Sequence, residues 1–573
     1  KNSRSYWTKT IPFLSATLLF PFLGYAQQWG PPDLPGEKEA YEKQDDPYLP
    51  NAYNNQKLSP AYRYDGRSDS RTGNTEIFTR QVNVSPNQKN ILGDAANEPS
   101  IAINPLNENE VVIGWRQFDN VSSNFRQAGY GYSSDGGQTW TFPGAIDPGV
   151  FHSDPVLDYD NAGNFYYNSL ASQHPTAEYP CYVYKSGDAG VSWNNGVYMG
   201  GGDKQWMTID RSGGMGEGNI YSSWTSYYSH CPPGFFTRST DGGDSFDTCS
   251  ILPEDLYWGT QAVGINGELY VSGRSIVPGR ILVAKSVDAQ NPTRITTWTS
   301  VSTVELGGYI VYRPNINPDG IAGQISIDVD RSNGPGQHNV YVLASIEPFM
   351  SSDPADVMFN KSSDGGMNWN ATPTKVNDDA ASTNTQWFAT MSVAPNGRID
   401  AIWLDTRDHP GSDSSALYYS YSIDEGTTWS PNEKLSDSFD PHRGYPRQNK
   451  MGDYFDMISN NTGAHLAWAN TLNGEQDVYY SFITLPITTG IEDVSENANI
   501  SVYPNPTSGL LEIDAADKRI SIEIFTTDGK KIFSTSGFET RHVIDISAQS
   551  AGVYFLKAIA EDRLVTVTKI IKM

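Results

Sequence analysis

Residues 133–140 read SSDGGQTW, and near-copies return as SGDAGVSW from 186, STDGGDSF from 239, SSDGGMNW from 362 and SIDEGTTW from 422. A repeated Ser-x-Asp-x-Gly-x-x-Trp is either a set of ligand sites or one turn used over and over. Turn chemistry favours the second. An Asp carboxylate caps backbone N–H groups about two residues ahead, Ser does so more weakly, and Gly supplies the positive φ of a short hairpin loop. Each copy follows a strand-like run (AGYGY, CYVYK, FFTR, DVMFNK, ALYYSY), so each reads as a hairpin tip whose aromatic packs between sheets. Identical tips cannot all converge on one active site, so Asp135, Asp188, Asp241, Asp364 and Asp424 are read as structural.

Composition narrows the function classes. The chain of 573 residues carries a formal net charge of −26, which argues against a nucleic-acid partner, because neutralising phosphates needs a basic surface. An acidic surface suits solubility or Ca²⁺; a structural Ca²⁺ is left open and no cofactor is expected. No helical periodicity competes with the short strands rich in Gly, Asn, Tyr and Trp. The three cysteines, Cys181, Cys231 and Cys249, have no zinc-ligand spacing. Cys231 and Cys249 flank one hairpin and could bridge, leaving Cys181 as a buried thiol.

The five turns resemble the Asp-boxes (BNR repeats) of the sialidase-like β-propeller superfamily, and the resemblance covers residues 75–485. Inner-strand starts recur as NEPSIAINP (97), SDPVLDYDN (153), KQWMTIDRS (204), TQAVGINGE (260), GQISIDVDRS (323), TQWFATMSVAP (385) and GDYFDMISN (452). The fourth unit has a degenerate box, KSVDAQNPTRITTW (285–298), and the seventh ends at DVYYSFIT (477–484) with none. TEIFTRQVNVS (75–85) immediately precedes the first unit and is expected to supply the missing outer strand, which closes the ring and leaves no unpaired edge. The expected fold class is therefore all-β: a seven-bladed β-propeller, with six blades as the alternative, followed by a small immunoglobulin-like β-sandwich.

Both ends read as addresses. Lys1, Arg4 and Lys9 precede the apolar IPFLSATLLFPFLG (11–24), the pattern of a secretory signal peptide over 1–26 and too short to span a bilayer; no transmembrane segment is expected. Residues 27–74, rich in Pro, Asn and charge, are expected to form an extended or disordered leader. After a linker at 486–498 come ISVYPNPTSGLLEI (500–513), ISIEIFTTDGKKIF and GVYFLKAIAEDRLVTVTKIIKM. With Tyr503-Pro504-Asn505-Pro506, Asp528-Gly529-Lys530 and Gly552-Val553-Tyr554, this end resembles the C-terminal sorting domain of type IX secretion substrates in Bacteroidota. The resemblance implies a sandwich over 499–573 that the type IX machinery reads, and a product at the outer-membrane surface or released.

If the Asp-boxes mark one face, function belongs on the other. The inner-strand starts put Glu98, Asp154, Asp203 or Gln205, Gln261, Gln324, Gln386 and Asp453 near the mouth of the channel, where the plain alternative is a wet polar lining. The loops WLDTRDHPGSD (403–413) and FDPHRGYPRQNKMGDYFD (439–456) should meet on that face, and GWRQFDN (114–120) adds Arg116. Arginine suits planar carboxylate or sulfate recognition, and paired carboxylates supply the acid and the nucleophile or base of glycoside hydrolysis. Asp405, Asp453 and Tyr454 are thus the catalytic candidates. Arg116, Asp154, Arg407, His409, Arg443 and Arg447 are the binding candidates, with Trp206, Trp258 and Trp387 as exposed aromatics. For each, the competing reading is an inter-blade salt bridge of the Asp405–Arg407 type.

The sialidase resemblance stops short of its chemistry. It implies three arginines, the first in an Arg-Ile-Pro motif near the first blade, and a Tyr nucleophile with a Glu base. No Arg-Ile-Pro occurs, and YRPN (312–315) lies after the fourth unit. The leading expectation is a secreted or surface propeller, monomeric, that recognises glycans or glycoproteins without catalysis. The alternative is a glycan-degrading enzyme, a sialidase-like hydrolase or polysaccharide lyase acting on anionic sugars.

Overall fold

The computed structural model describes residues 46, 48–49, 57–67, 75–172, 179–226, 229–277, 279–380, 383–485, 500–515, 519–527, 530–535, 539–560 and 563–573. The expected signal peptide, the linker, and Asp528 and Gly529 of the C-terminal turn lie outside these residues. The chain divides after Leu485 into two compact units.

In the first unit, antiparallel sheets follow one another in chain order. Their inner strands are Ala95–Ile103, Phe151–Tyr159, Trp206–Ile209, Gln261–Val263, Ser326–Val329, Gln386–Val393 and Asp456–Ser459. Each inner strand packs on the next, and Asp456–Ser459 packs back on Ala95–Ile103; this is a β-propeller, and we count each such sheet as a blade. Inner strands of neighbouring sheets share no ladder, apart from a single parallel bridge between Gly259 and Ile325, so backbone N–H groups facing a neighbour are met by side-chain acceptors. Ser100 Oγ accepts from Leu157 N at 2.9 Å, Asp158 Oδ2 from Ile209 N at 2.8 Å and Thr260 Oγ1 from Ile327 N at 3.0 Å. Asp328 Oδ2 accepts from Val393 N at 2.8 Å, Ser392 Oγ from Ser459 N at 3.0 Å, and Asp456 Oδ2 from Ile101 N at 3.1 Å. Between the third and fourth sheets the side chain is the donor instead, with Gln261 Nε2 donating to the Trp206 carbonyl at 3.2 Å.

The repeated Ser-x-Asp turns join third and fourth strands and share their face with the loops between first and second strands, as Gly136 N donating to Asn109 O shows. In the first turn Ser133 Oγ donates to Asp135 Oδ1 at 2.8 Å and accepts from Gly137 N at 2.9 Å. Asp135 also accepts from Thr139 N at 2.9 Å and Thr139 Oγ1 at 2.7 Å. The same bonds recur at Asp188, Asp241, Asp364 and Asp424. Gly137 has a φ of 83°, and a Cβ there would run into the Tyr480 ring of the last sheet. Trp140 packs on the same ring at 5.5 Å, so the aromatic bridges sheets as expected. The degenerate turn makes the set across its insertion, with Thr297 N donating to Asp288 Oδ1 at 2.8 Å and Thr297 Oγ1 to Oδ2 at 2.6 Å. Asp364→Ala is expected to cost about 0.5–1.5 kcal/mol, because its carboxylate is exposed and its donors can turn to water, and to leave ligand affinity unchanged. Loss of affinity at an unchanged melting temperature would show that the two faces are reversed.

The last sheet joins the two ends of the propeller. Glu76–Gln81 pairs antiparallel with Asp477–Thr484, inside Arg63–Arg67, which adds a fifth strand. Leu58–Pro60 pairs with Lys89–Ile91. Within the expected extended or disordered leader, Leu58–Pro60 and Arg63–Arg67 are thus extended strands whose backbone groups find partners on the propeller. Cys231 and Cys249 form a disulfide, and Cys181 is a buried free thiol.

The second unit holds two sheets, Ser501–Tyr503, Leu510–Asp514 and Arg541–Asp545 in one, Lys531–Ser534, Ser521–Thr526, Gly552–Ala560 and Arg563–Lys572 in the other. Alternation along the strands turns Leu511, Ile513, Ile522, Ile524, Ile544 and Leu556 into its core.

Candidate functional site

The mouth of the propeller on the face away from the turns is built by a bulge. Opposite a single partner residue, Glu98 and Pro99, Asp154 and Pro155, and Phe388 and Ala389 each take two positions on their inner strands. Glu98, Asp154 and Phe388 are left-handed there, with φ of 55°, 51° and 57°. Lys204, just before the third inner strand, has a φ of 56°. A bulge re-aims side chains that strict alternation would place.

What gathers is a buried charge cluster. Lys204 Nζ lies 2.6 Å from Asp453 Oδ2, 3.3 Å from Asp154 Oδ2 and 3.9 Å from Asp203 Oδ1. Lys450 Nζ lies 2.6 Å from Asp453 Oδ2 and 4.0 Å from Glu98 Oε2. Arg116 Nε is 2.9 Å from Glu98 Oε2, and its Nη1 donates to Gln448 Oε1 at 2.9 Å. Burial opposes the ionisation of Asp154, yet Lys204, Lys450 and Arg116 hold it down to about 2. Asp453, equally buried, is driven below the usual carboxylate range by Lys204 and Lys450. For Glu98 burial prevails over Arg116 and Lys450 and pushes the carboxyl up to about 6. Tyr454 is buried, packs edge-on against Trp206 at 5.2 Å, and donates its hydroxyl to the Pro155 carbonyl at 2.5 Å.

Arg116, Asp154, Asp453 and Tyr454 are thus brought together, but as an interlocked plug. Lys204 and Lys450 were missed; DKQW (203–206) and NKMGD (449–453) put a cation beside the mouth carboxylates Asp203 and Asp453, and that pairing was the available signal. The other candidates are not brought into this cluster. Asp405 is fully buried and accepts from Trp403 Nε1 at 2.8 Å and Gln386 Nε2 at 3.2 Å. Arg407 lies 2.8 Å from Asp405, 2.6 Å from Asp378 and 3.7 Å from Asp379, over the Tyr418 ring. Arg447 reaches Asp46 of the leader at 2.8 Å, and Asp46 also accepts from Asn124 N. Arg443 is exposed beside Asp440 at 3.7 Å, and His409 is exposed. The two loops do meet, where His442 Nε2 lies 3.7 Å from Asp413. Of the arginines expected to converge on an anion, Arg116, Arg407 and Arg447 are therefore held by different carboxylates, and Arg443 stands exposed apart from them. Trp206, Trp258 and Trp387, expected to be exposed, are 8%, 5% and 0% accessible. Trp387 is core, packed among Phe388, Phe455 and Trp468 with Nε1 donating to Ser415 Oγ at 3.0 Å.

Behind the plug a channel of about 280 Å³ runs between the inner strands. It is lined by the pairs Asp158–Arg211 at 2.5 Å and Asp328–Arg331 at 2.8 Å and by Asp456, whose carboxyl burial pushes up to about 7. Asp158, Asp328 and Asp456 already serve the inter-sheet bonds described above. Among the described residues no group of three or more His, Cys, Asp or Glu side chains is placed to hold a metal ion, and no helix is long and apolar enough to cross a membrane.

No curated protein matches the chain. Similar solved structures include a protein of unknown function from Dyadobacter fermentans, 14% identical, with a TM-score of 0.39 over 71% of this chain and 98% of that one. They also include the phage phi92 endosialidase, 10% identical, TM-score 0.39, covering 86% and 87%, and the Trypanosoma rangeli sialidase, 9% identical, TM-score 0.36, covering 89% of each. Residues 501–573 match the family model described as the secretion system C-terminal sorting domain. That domain marks the chain as a substrate of type IX secretion, exported to the cell surface or beyond it.

Proposed function

We propose that this chain is an exported, monomeric binding propeller that recognises glycans or glycoproteins without catalysis. The observation that supports it most is the state of the catalytic candidates. A retaining sialidase-type mechanism needs a tyrosine oxygen free to attack and a carboxylate free to take its proton. The Tyr454 hydroxyl is given to a carbonyl, and burial raises its pKa further. Asp453 is clamped between two ammonium groups, and Asp405 is enclosed by Trp403, Gln386 and Arg407. The pairing of the arginines favours a neutral sugar over an anionic one.

The test is a glycan array probed with the purified full chain, alongside a hydrolysis assay on the glycans that bind. Binding without release of product is expected; release of sugar, or of an unsaturated product, would restore the enzyme reading. The C-terminal unit should act as a separable address. A chain lacking 499–573 is expected to accumulate in the cell envelope with its propeller folded, scored by fractionation and protease resistance; normal appearance of that chain in the medium would count against it.

A further inference from the structure

Beneath the link that joins the first and second sheets lies a half-open cleft of about 460 Å³, within the range of small-ligand sites. Its walls include Phe125, Phe151, Tyr182 and Tyr184, and His152, Ser172 and Asp147 line it too. His152 is fully buried, yet among the described residues neither ring nitrogen has a hydrogen-bond partner. Asp147 Oδ2 lies 3.8 Å from Nε2, an ion-pair rather than a hydrogen-bond distance, and is half exposed. Ser172 Oγ, also buried, has none among the described residues either. Buried polar side chains are nearly always satisfied, so two unmet ones in one aromatic cleft point to something that enters it.

We propose that this cleft binds one neutral sugar residue of a glycan, a reading that rests on the glycan-recognition function above and gives it a place. A neutral imidazole offers one donor and one acceptor, a serine hydroxyl offers both, and a carboxylate only accepts. The ligand must therefore carry closely spaced groups that donate and accept, as vicinal hydroxyls do, together with an apolar face for the aromatic rings. A quaternary ammonium would suit the rings and Asp147 but leave His152 and Ser172 unmet. An anionic sugar would meet Asp147, and the nearby Arg126 does not offset that. Its guanidinium lies over the Phe151 ring at 4.6 Å and donates through Nε to Ser153 Oγ at 3.0 Å, and the cleft lining does not include it.

The experiment is titration of the full chain, by calorimetry and saturation-transfer NMR, with methyl glycosides of glucose, galactose, mannose, fucose, xylose and N-acetylglucosamine, and with choline and sialyllactose as contrasts. At least one methyl glycoside should bind. Asp147→Asn, at a half-exposed position, and His152→Phe, which keeps a ring but removes both nitrogens, should each weaken it about tenfold or more at an unchanged melting temperature. Glycan binding that survives both substitutions would overturn the cleft and leave the glycan reading standing. Absence of any glycan binding by the full chain would overturn both, and preference for choline or sialyllactose would overturn the neutral sugar.

Discussion

A chain that begins at residue 86, without the closing strand, should fail to form a stable monomeric propeller. Glu76–Gln81 is an interior strand, paired with Asp477–Thr484 on one side and Arg63–Arg67 on the other. Removing it strips Asp477–Thr484 of its outer ladder, roughly six backbone bonds at about 1 kcal/mol each net. It also takes away Ile77, which is 3% accessible and packs in the cluster holding Trp468 and Ile483; burying such a side chain is worth about 1.5–3 kcal/mol. The sum is of the order of the whole stability of a typical domain. What remains is a bare edge on Asp477–Thr484 beside exposed apolar surface, the arrangement that templates aggregation. Size-exclusion chromatography and urea unfolding should show soluble aggregate or no folded baseline. A truncated monomer with the urea midpoint of the full chain would mean that the ring is not closed by this strand.

How much of this could be read from the letters follows the range of each interaction. The Ser-x-Asp turns were legible because every bond in them lies within a few residues, although the seventh position carries a donor each time (Thr139, Ser192, Ser245, Asn368, Thr428) and was passed over as variable. The degenerate turn is recognisable for the same reason, since Asp288 still meets Thr297 across the insertion. The closing strand was legible by counting, because a sheet without an outer strand needs one. The C-terminal strands show their core directly, as in Arg541–Asp545, where only His542 and Ile544 turn inward.

The site was less legible, for two physical reasons. The bulges at Glu98, Asp154 and Phe388 shift each inner strand by a residue, so alternation could not say that Trp387 turns into the core while Asp154 turns to the axis. The partners of the arginines are also remote in sequence: Gln448 for Arg116, Asp378 for Arg407 and Asp46 for Arg447. The pairing of leader residues 63–67 with the closing strand was not legible, because an edge strand carries little pattern of its own and takes its order from the strand it joins.

Replacing Lys204 by Met should destabilise the propeller by about 3–5 kcal/mol at pH 7, the usual cost of breaking a buried ion pair from one side. Methionine keeps most of the length and volume of the side chain, so the loss is chiefly the charge. The ammonium group stands between Asp154 and Asp453, which are 1% accessible each. Asp453 retains Lys450 at 2.6 Å, whereas Asp154 loses the strongest of the cations that hold it down.

The pH dependence follows from that asymmetry. In the parent chain Asp154 is held at about 2, below its unfolded value near 3.9. Its contribution is therefore fully present above about pH 4 and is lost as pH falls toward 2. In the variant, burial without Lys204 raises the same carboxyl, so the folded form takes up a proton first and gains stability as pH falls toward 4. The gap between the two chains should therefore be widest near neutrality and narrow on acidification. Guanidinium unfolding followed by tryptophan fluorescence at pH 7 and pH 4 measures both. Lys204→Met combined with Asp154→Asn should recover at least about 1 kcal/mol of the loss, since the two positions are in contact and their effects do not add. A loss below about 1 kcal/mol, a gap that does not change with pH, or strict additivity would show that the mouth is not locked by this pair, and would reopen Asp453 and Tyr454 as groups free to act.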